Sequence, residues 1–428
     1  MSKVENPLKE KNIGKSFEAN SIIVFTLTML ANVLGILFQS LSGHLLGDTQ
    51  LFADLNAAMA LFNVLVLPTT VSCCLIAKYT AELYAGQHVG QIKYFLLNAA
   101  KVLLLLIVLF AGVGVIAHPL IGRWLHIGDK TVIILVIGLA AITLLSAVFN
   151  GGLQGMQAFV FYGIFGLIGP VAKIIAVLCS TLVTEKLTVI FVVWFLGTIV
   201  SYLCGVVLLR KVLGKYPKEK VDFEKSKTIQ YIWRLIVANA GVILLSNIDI
   251  LLVKHNFNDE AGLYSGARML GYSVMYLTNT FVVVIFPMIA GKAKDEAGNK
   301  KLLKRTLFYN IVLSVVAVVC LMLCAEFCIK LLLGADYLSC KQYLLPIIAY
   351  VLPLGMLNLL ANFGMARNKT GFINASLLIT GGIAIVMGIV VKTSLFALVG
   401  CLSTVMWLAV GGNIVYVFGR REKVDGNK

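Results

Sequence analysis

Apolar runs of roughly 20 residues follow one another from residue 20 to residue 418. A bilayer core about 30 Å thick requires roughly 20 mainly apolar residues per spanning helix, so this succession dictates a polytopic helical membrane protein. Twelve runs are present, at 20–41, 51–72, 93–118, 131–150, 158–182, 187–209, 231–254, 262–290, 305–333, 343–366, 370–391 and 393–418. A composition with 59% hydrophobic and 13% charged residues and a mean hydropathy of +0.93 lies outside the soluble range and agrees with that reading. A polar leader precedes the first run, which lacks a small-residue cleavage site, so that run is expected to be retained rather than removed as a signal peptide. The loops between runs are short, which leaves no soluble catalytic domain and predicts a protein without net chemistry of its own.

The formal charge of +16 is explained by where the basic residues sit. Of 36 Lys and Arg, 25 fall on the side of the N-terminal leader, 6 on the opposite face and 5 within or at the ends of the runs. The positive-inside bias then places both termini in the cytoplasm of a cell that carries the chain in its plasma or inner membrane. Nucleic acid is not an expected partner, because the excess is topological.

The nine cysteines form no Cys-x-x-Cys pair. Cys320, Cys324 and Cys328 share a helix face, but no His or carboxylate joins them at ligand spacing, so no metal site is expected.

The segment RKVLGKYPKEKVDFEKSKT, Arg210 to Thr228, breaks the composition between spans six and seven. It divides the chain into an N-terminal six-helix lobe (1–210), a basic cytoplasmic linker (211–228) and a C-terminal six-helix lobe (229–428). Six is even, so the two halves start on the same face and would be related as parallel repeats. GHLLGDTQLFADLNAAM (Gly43–Met59) and KHNFNDEAGLYSGARML (Lys254–Leu270) match weakly: each has a His, a short acidic turn and an aromatic residue opening the next helix.

An ionisable group inside a span costs at least ~2.5–3.5 kcal/mol at mid-bilayer and is a functional hypothesis by default. Asp249 lies in the apolar run from Leu235 to Val253. It sits about 7.5 Å below Lys254, and Arg268 sits about 9 Å below the start of span eight, so the two depths match across one hairpin. Asp249 is therefore expected to face Arg268. A pair that fixes two helices and a gate or coupling site for H+ or Na+ both fit this placement. On span eight, Tyr264, Arg268, Tyr272, Tyr276 and Asn279 follow at spacings that put them on one face. Asn32 and Gln39 on span one, Asn56 and Asn63 on span two, and Asn239 and Asp249 on span seven extend the polar surface, which predicts one shared lumen. Glu326 and Lys330, four residues apart, are expected to pair locally. Lys101, Lys173 and Arg234 add positive charge, although a lysine can also snorkel to an interface. The spans hold five basic and three acidic residues in all, giving a central cationic cavity suited to an anionic, hydroxyl-rich solute.

Three stretches carry a family likeness. NVLGILFQSLSGHLLGDTQLFADLNAAMALFNVLVLP (Asn32–Pro68), FNGGLQGMQAF (Phe149–Phe159) and NIDILLVKHNFNDEAGLYSGARMLGYSVMYLTNTFVVVIFP (Asn247–Pro287) resemble the polysaccharide or oligosaccharide flippases, O-antigen transporters included. These belong to the multidrug/oligosaccharidyl-lipid/polysaccharide exporter superfamily. The resemblance implies a two-lobed bundle of twelve to fourteen helices that moves lipid-linked oligosaccharides from the inner to the outer leaflet by alternating access. With the runs split six and six, the expectation for this chain is an all-α fold of two six-helix lobes around a central cavity, without cofactor, that carries a polyprenyl-diphosphate-linked oligosaccharide. Arg268, Lys101, Lys173 and Arg234 would meet phosphate, and the tyrosines and asparagines would meet sugar. Membrane lipids and a polysaccharide polymerase are candidate partners. A cation-coupled multidrug exporter and a membrane-embedded polymerase or glycosyltransferase are the alternatives. The absence of an acidic residue from Ser21 to Leu41 speaks against the first, and the lack of a large outer loop against the second.

Overall fold

The computed structural model describes residues 13–214, 217, 219–220, 239–290, 296–366 and 371–419, with side chains omitted for 13–25, 276–290, 296–297 and 366. Among these residues the regular structure is all helix, joined by short turns, and nine helices are long and apolar enough to cross a membrane. The N-terminal half comprises α1 (Ile13–Leu46), α2 (Thr49–Leu65), α3 (Leu67–Ala85), α4 (Val89–Trp124), α5 (Lys130–Thr143), α6 (Ser146–Gly155), α7 (Phe159–Cys179) and α8 (Lys186–Leu213). The C-terminal half continues with α9 (Ile248–Asn256), α10 (Ala261–Ala290), α11 (Glu296–Leu323), α12 (Ala325–Leu332), α13 (Lys341–Ala366), α14 (Gly371–Val390) and α15 (Leu395–Gly419). Span two is the bent pair α2 and α3, turned by 41° where Pro68 opens the second helix. Proline lacks an N–H and fits the first turn of a helix, so the ladder stops and restarts there.

Span seven is also broken. A helical segment at 239–245 ends in a turn at residues 246–247, and α9 starts anew at Ile248. No proline or glycine stands at the break. Ser246 and Asn247 instead turn their side chains back to Val242 O at 2.7 Å and Ile243 O at 2.8 Å, which competes with the helical ladder. Span nine also breaks, at Cys324 between α11 and α12, so Cys320, Cys324 and Cys328 do not share one continuous helix.

Within the first half α1 packs on α7, α3 on α6 and α7 on α8; within the second, α13 is gripped by α10 and α15. The helices differ sharply in their neighbours. Of the most apolar stretch of α4 only 6% is buried, against 72% for Ala335–Met365, so α4 faces lipid and α13 forms the heart of its lobe. The lobes meet where α2 lies against α9 and α10, at the end carrying the α1–α2 and α9–α10 turns. Gly47 makes the first of these turns with a φ of +67°, a conformation that costs side-chain-bearing residues energy. Gly262 permits a close approach of the lobes: a Cβ there would stand 2.4 Å from the carbonyl oxygen of Thr49 in the other lobe.

Candidate functional site: a cationic cavity beneath a sealed hairpin end

A cavity of about 260 Å³ lies between the lobes and is lined by Asn32 and Gln39 of α1, Asn56 and Asn63 of α2, Lys173 of α7, and Arg268 and Tyr272 of α10. Seven of the residues the sequence nominates thus share one space, because α1 and α2 turn their polar stripes toward α10. Asn63 donates to the Asn247 side chain at 3.0 Å, linking α2 to the break in span seven. The Asn56 amide caps Phe52 O at 2.9 Å within its own helix, and Gln39 donates to the sulfur of Met59 at 3.7 Å. The Gln39 Oε1 atom is buried without a hydrogen-bond partner among the described residues.

Asp249 faces Arg268, as depth matching predicts. Arg268 Nε donates to Asp249 Oδ2 at 2.8 Å, and the carboxylate is 0% exposed. Tyr264 donates to the same oxygen at 3.0 Å from behind the pair, so it is fully buried and does not line the cavity. The pair also mends the broken helix. A helix end leaves its last carbonyls without N–H partners, and each such group in an apolar membrane costs several kcal/mol. Arg268 Nη2 donates to Ser246 O at 2.6 Å, Tyr272 donates to the same carbonyl at 2.9 Å, and the Tyr350 hydroxyl donates to Leu245 O. Arg268 also stacks on Tyr272, with Cζ 4.1 Å from the ring centre. Removing one member of a buried pair typically costs about 3–5 kcal/mol because the other charge is stranded. This guanidinium is therefore tied down on several sides.

Lys173 is held differently. Its ammonium lies over Trp194 of α8 at 4.1 Å and over Phe38 of α1 at 5.8 Å. Attraction to an aromatic face is worth about 2 kcal/mol at a desolvated site, less than a buried ion pair requires to break.

Other nominated residues lie elsewhere. Lys101 is exposed on the lipid-facing side of α4 among Val102, Leu104 and Leu105, away from the cavity, because α4 turns that face outward. Asn239 is half-buried near the start of the segment 239–245 and does not line the cavity. Arg234 and the side chains of Tyr276 and Asn279 lie outside the described residues. Glu326 pairs with Lys341 at 2.7 Å rather than with Lys330: Glu326 and Lys330 both stand on the exposed short helix α12, where the start of α13 brings Lys341 into hydrogen-bond range and Lys330 adds only a weaker attraction. Among the described residues no cluster of His, Cys, Asp or Glu could hold a metal ion.

The sequence reading missed the seal above the cavity. Lys254 is fully buried and forms an ion pair with Asp54 across the lobes. The Gln50 amide meets that of Asn258 at 2.8 Å, and Phe52 packs edge-on against Tyr337 with ring centres 5.5 Å apart. His255 stacks on Trp124 at 4.7 Å. Asp54 is the sixth residue of α2 and Lys254 lies two residues before the end of α9, both close to the hairpin end, so the depth matching that found Asp249 and Arg268 would have paired these as well.

The fold is shared with solved membrane transporters of the MOP superfamily. It matches the lipid II flippase MurJ in an inward closed conformation with 13% identity over 93% of this chain and 88% of that one, TM-score 0.71. It also matches an inward-facing multidrug resistance MATE family transporter of the MOP superfamily, with 12% identity over 93% and 97% of the two chains and a TM-score of 0.68. A MOP superfamily transporter from Pyrococcus furiosus, described as having a binding pocket of reverse polarity, matches with 14% identity over 93% of each chain and a TM-score of 0.52. No curated protein matches in sequence. The sequence profile of the polysaccharide biosynthesis protein family matches residues 95–342, more than half of the chain, and the chain belongs to that family.

Proposed function

We propose that the protein carries a polyprenyl-diphosphate-linked oligosaccharide from the cytoplasmic to the outer leaflet of the cell membrane by alternating access, for cell-surface polysaccharide synthesis. The observation that carries this reading is the composition of the cavity wall: two cations, four side-chain amides and a tyrosine, with no carboxylate among its described lining residues. Phosphate suits a positively charged wall, and sugar hydroxyls suit the amides and the tyrosine face. The prenyl chain stays in the bilayer beside the bundle. An exporter of organic cations is the weaker reading, since a cation would find no anionic partner on this wall.

With the hairpin end outward, as the Lys and Arg bias orients it, the contacts from Asp54 to Lys254 and from Gln50 to Asn258 close the outer exit. Alternating access then requires that seam to part while the inner ends approach. The Asp249–Arg268 pair supports the broken helix first. An H+ or Na+ that used Asp249 for coupling would have to displace Arg268. A polysaccharide polymerase would act on the product.

The test is leaflet-specific accumulation of lipid-linked oligosaccharide in cells lacking the protein and complemented with wild type, Asp249→Asn or Arg268→Ala. Build-up on the cytoplasmic leaflet, cleared by wild type and not by the variants, is expected. Normal delivery to the outer leaflet together with altered drug sensitivity would overturn the substrate assignment.

A further inference from the structure

The two cations on the cavity wall are not equivalent. Arg268 has its Nε and Nη2 atoms committed to Asp249 and Ser246 O, and its flat face lies on Tyr272. Releasing it would strand a carboxylate that is wholly buried and leave one helix-end carbonyl to Tyr272 alone. Lys173 lines the same cavity and rests on the faces of Trp194 and Phe38, with no hydrogen bond or ion pair among the described residues. Ring faces attract an ammonium but offer no lone pair, so its three N–H donors stay unspent. A phosphate oxygen supplies both the charge and the acceptors.

We propose that Lys173, seated on Trp194 and Phe38, is the specificity-determining residue that receives the phosphate of the substrate, and that Arg268 is a strut excluded from that contact. This rests on the flippase reading for the identity of the phosphate carrier, a prenyl chain. Gln39 gives the headgroup its direction. Its buried Oε1 is a neutral acceptor on the same wall and without a partner among the described residues. An acceptor repels a phosphate oxygen and suits a sugar hydroxyl. The phosphate is therefore received at Lys173 and the first sugar at Gln39. An aromatic seat also selects charge type: a cationic solute would have to displace Lys173 from the ring, whereas an anion only tilts it.

Trp194 makes the proposal directly readable, because drawing the ammonium off its ring changes the surroundings of the indole. Full-length protein in lipid nanodiscs would be titrated with farnesyl diphosphate, farnesol and inorganic diphosphate, with tryptophan emission and calorimetric affinity recorded. The expected result is an emission change with farnesyl diphosphate, none with farnesol, and loss of the change in Trp194→Phe. Lys173→Met should bind farnesyl diphosphate at least tenfold more weakly with an unaltered melting temperature, and Lys173→Arg should bind within a few-fold of wild type. Unchanged affinity in a stably folded Lys173→Met overturns the proposal. So does a loss of affinity in Lys173→Met that is matched by an equal loss of melting temperature, because the lysine would then be structural. Binding of inorganic diphosphate as tightly as the prenyl ester, lost in Lys173→Met, would uphold Lys173 as the phosphate contact while overturning a lipid-borne substrate.

Discussion

His44 and His255 hold corresponding places in the two halves of the chain, and each reaches across to the C-terminal end of a helix in the opposite lobe. His255 Nδ1 lies 2.8 Å from the carbonyl oxygen of Trp124, the last residue of α4, and His44 Nε2 lies 3.1 Å from that of Leu331 in α12. A carbonyl only accepts, so the facing ring nitrogen carries the hydrogen in each case. Helix C-termini present carbonyls without partners and a partial negative charge, which a histidine donor satisfies.

Two such bonds, each worth about 0.5–1.5 kcal/mol net, should together hold the closed seam by roughly 1–3 kcal/mol, a factor of about 5–150 in the open population. The double variant His44→Ala, His255→Ala is expected to raise labelling of Asn56→Cys by a membrane-impermeant thiol reagent, in a chain otherwise cleared of cysteine. Equal labelling with and without the histidines would show that the seam does not depend on them.

Gln50 and Asn258 meet across the same seam. Cysteines at both positions, joined by a short reducible cross-linker, should arrest delivery of lipid-linked oligosaccharide to the outer leaflet, and reductant should restore it. Transport that continues through the cross-link would mean that this seam need not open.

Asp249→Asn and Arg268→Met should each cost about 3–5 kcal/mol in equilibrium unfolding in mixed micelles, since each strands a buried partner. The double variant should cost less than the sum by roughly 0.5–3 kcal/mol. Strict additivity would argue that the two side chains are not coupled and that the mended break owes its stability to Tyr272 and Tyr350 alone.

Asp129, at the start of α5 and outside the spanning segments, gives a pH-dependent contribution. Burial pushes its carboxyl up, but the Thr188 hydroxyl at 2.6 Å and the Thr131 N–H at 2.8 Å favour the ionised form and bring it below the usual carboxylate range. A depressed carboxylate contributes stability that is fully present above its unfolded value of about 4 and is lost as pH falls through the folded value. Asp129→Ala should therefore cost about 0.5–2 kcal/mol at neutral pH, as for a lost helix cap, and progressively less in acid. An equal cost at pH 3 and pH 7 would refute the ionised cap.

The spans were legible because the bilayer fixes their length, and the Asp249–Arg268 pair was legible because a short hairpin fixes the relative depth of two helices. The break at residues 246–247 was harder to see, since Ser and Asn disrupt a helix only through side-chain bonds to the backbone, and no proline or glycine marks the spot. The burial of Lys254 was harder to see because it ends a span, whereas its acid partner is contributed by another helix of the opposite half. Lys101 carries the same charge as Lys173 and sits on a comparable apolar helix; which of them faces the cavity is decided by the rotation of α4 against its neighbours, which an unbroken apolar run does not encode.

α4 is 36 residues long, about 54 Å, while the apolar layer it crosses is about 30 Å thick. Only 6% of its most apolar stretch is buried, so that stretch offers much of its surface to lipid and its tilt responds to bilayer thickness. Its last residue is Trp124, which His255 grips. The helix is thus a lever with its long arm in the lipid and its tip on the latch, and the acyl-chain length of the surrounding membrane becomes a mechanical input to the position of that tip.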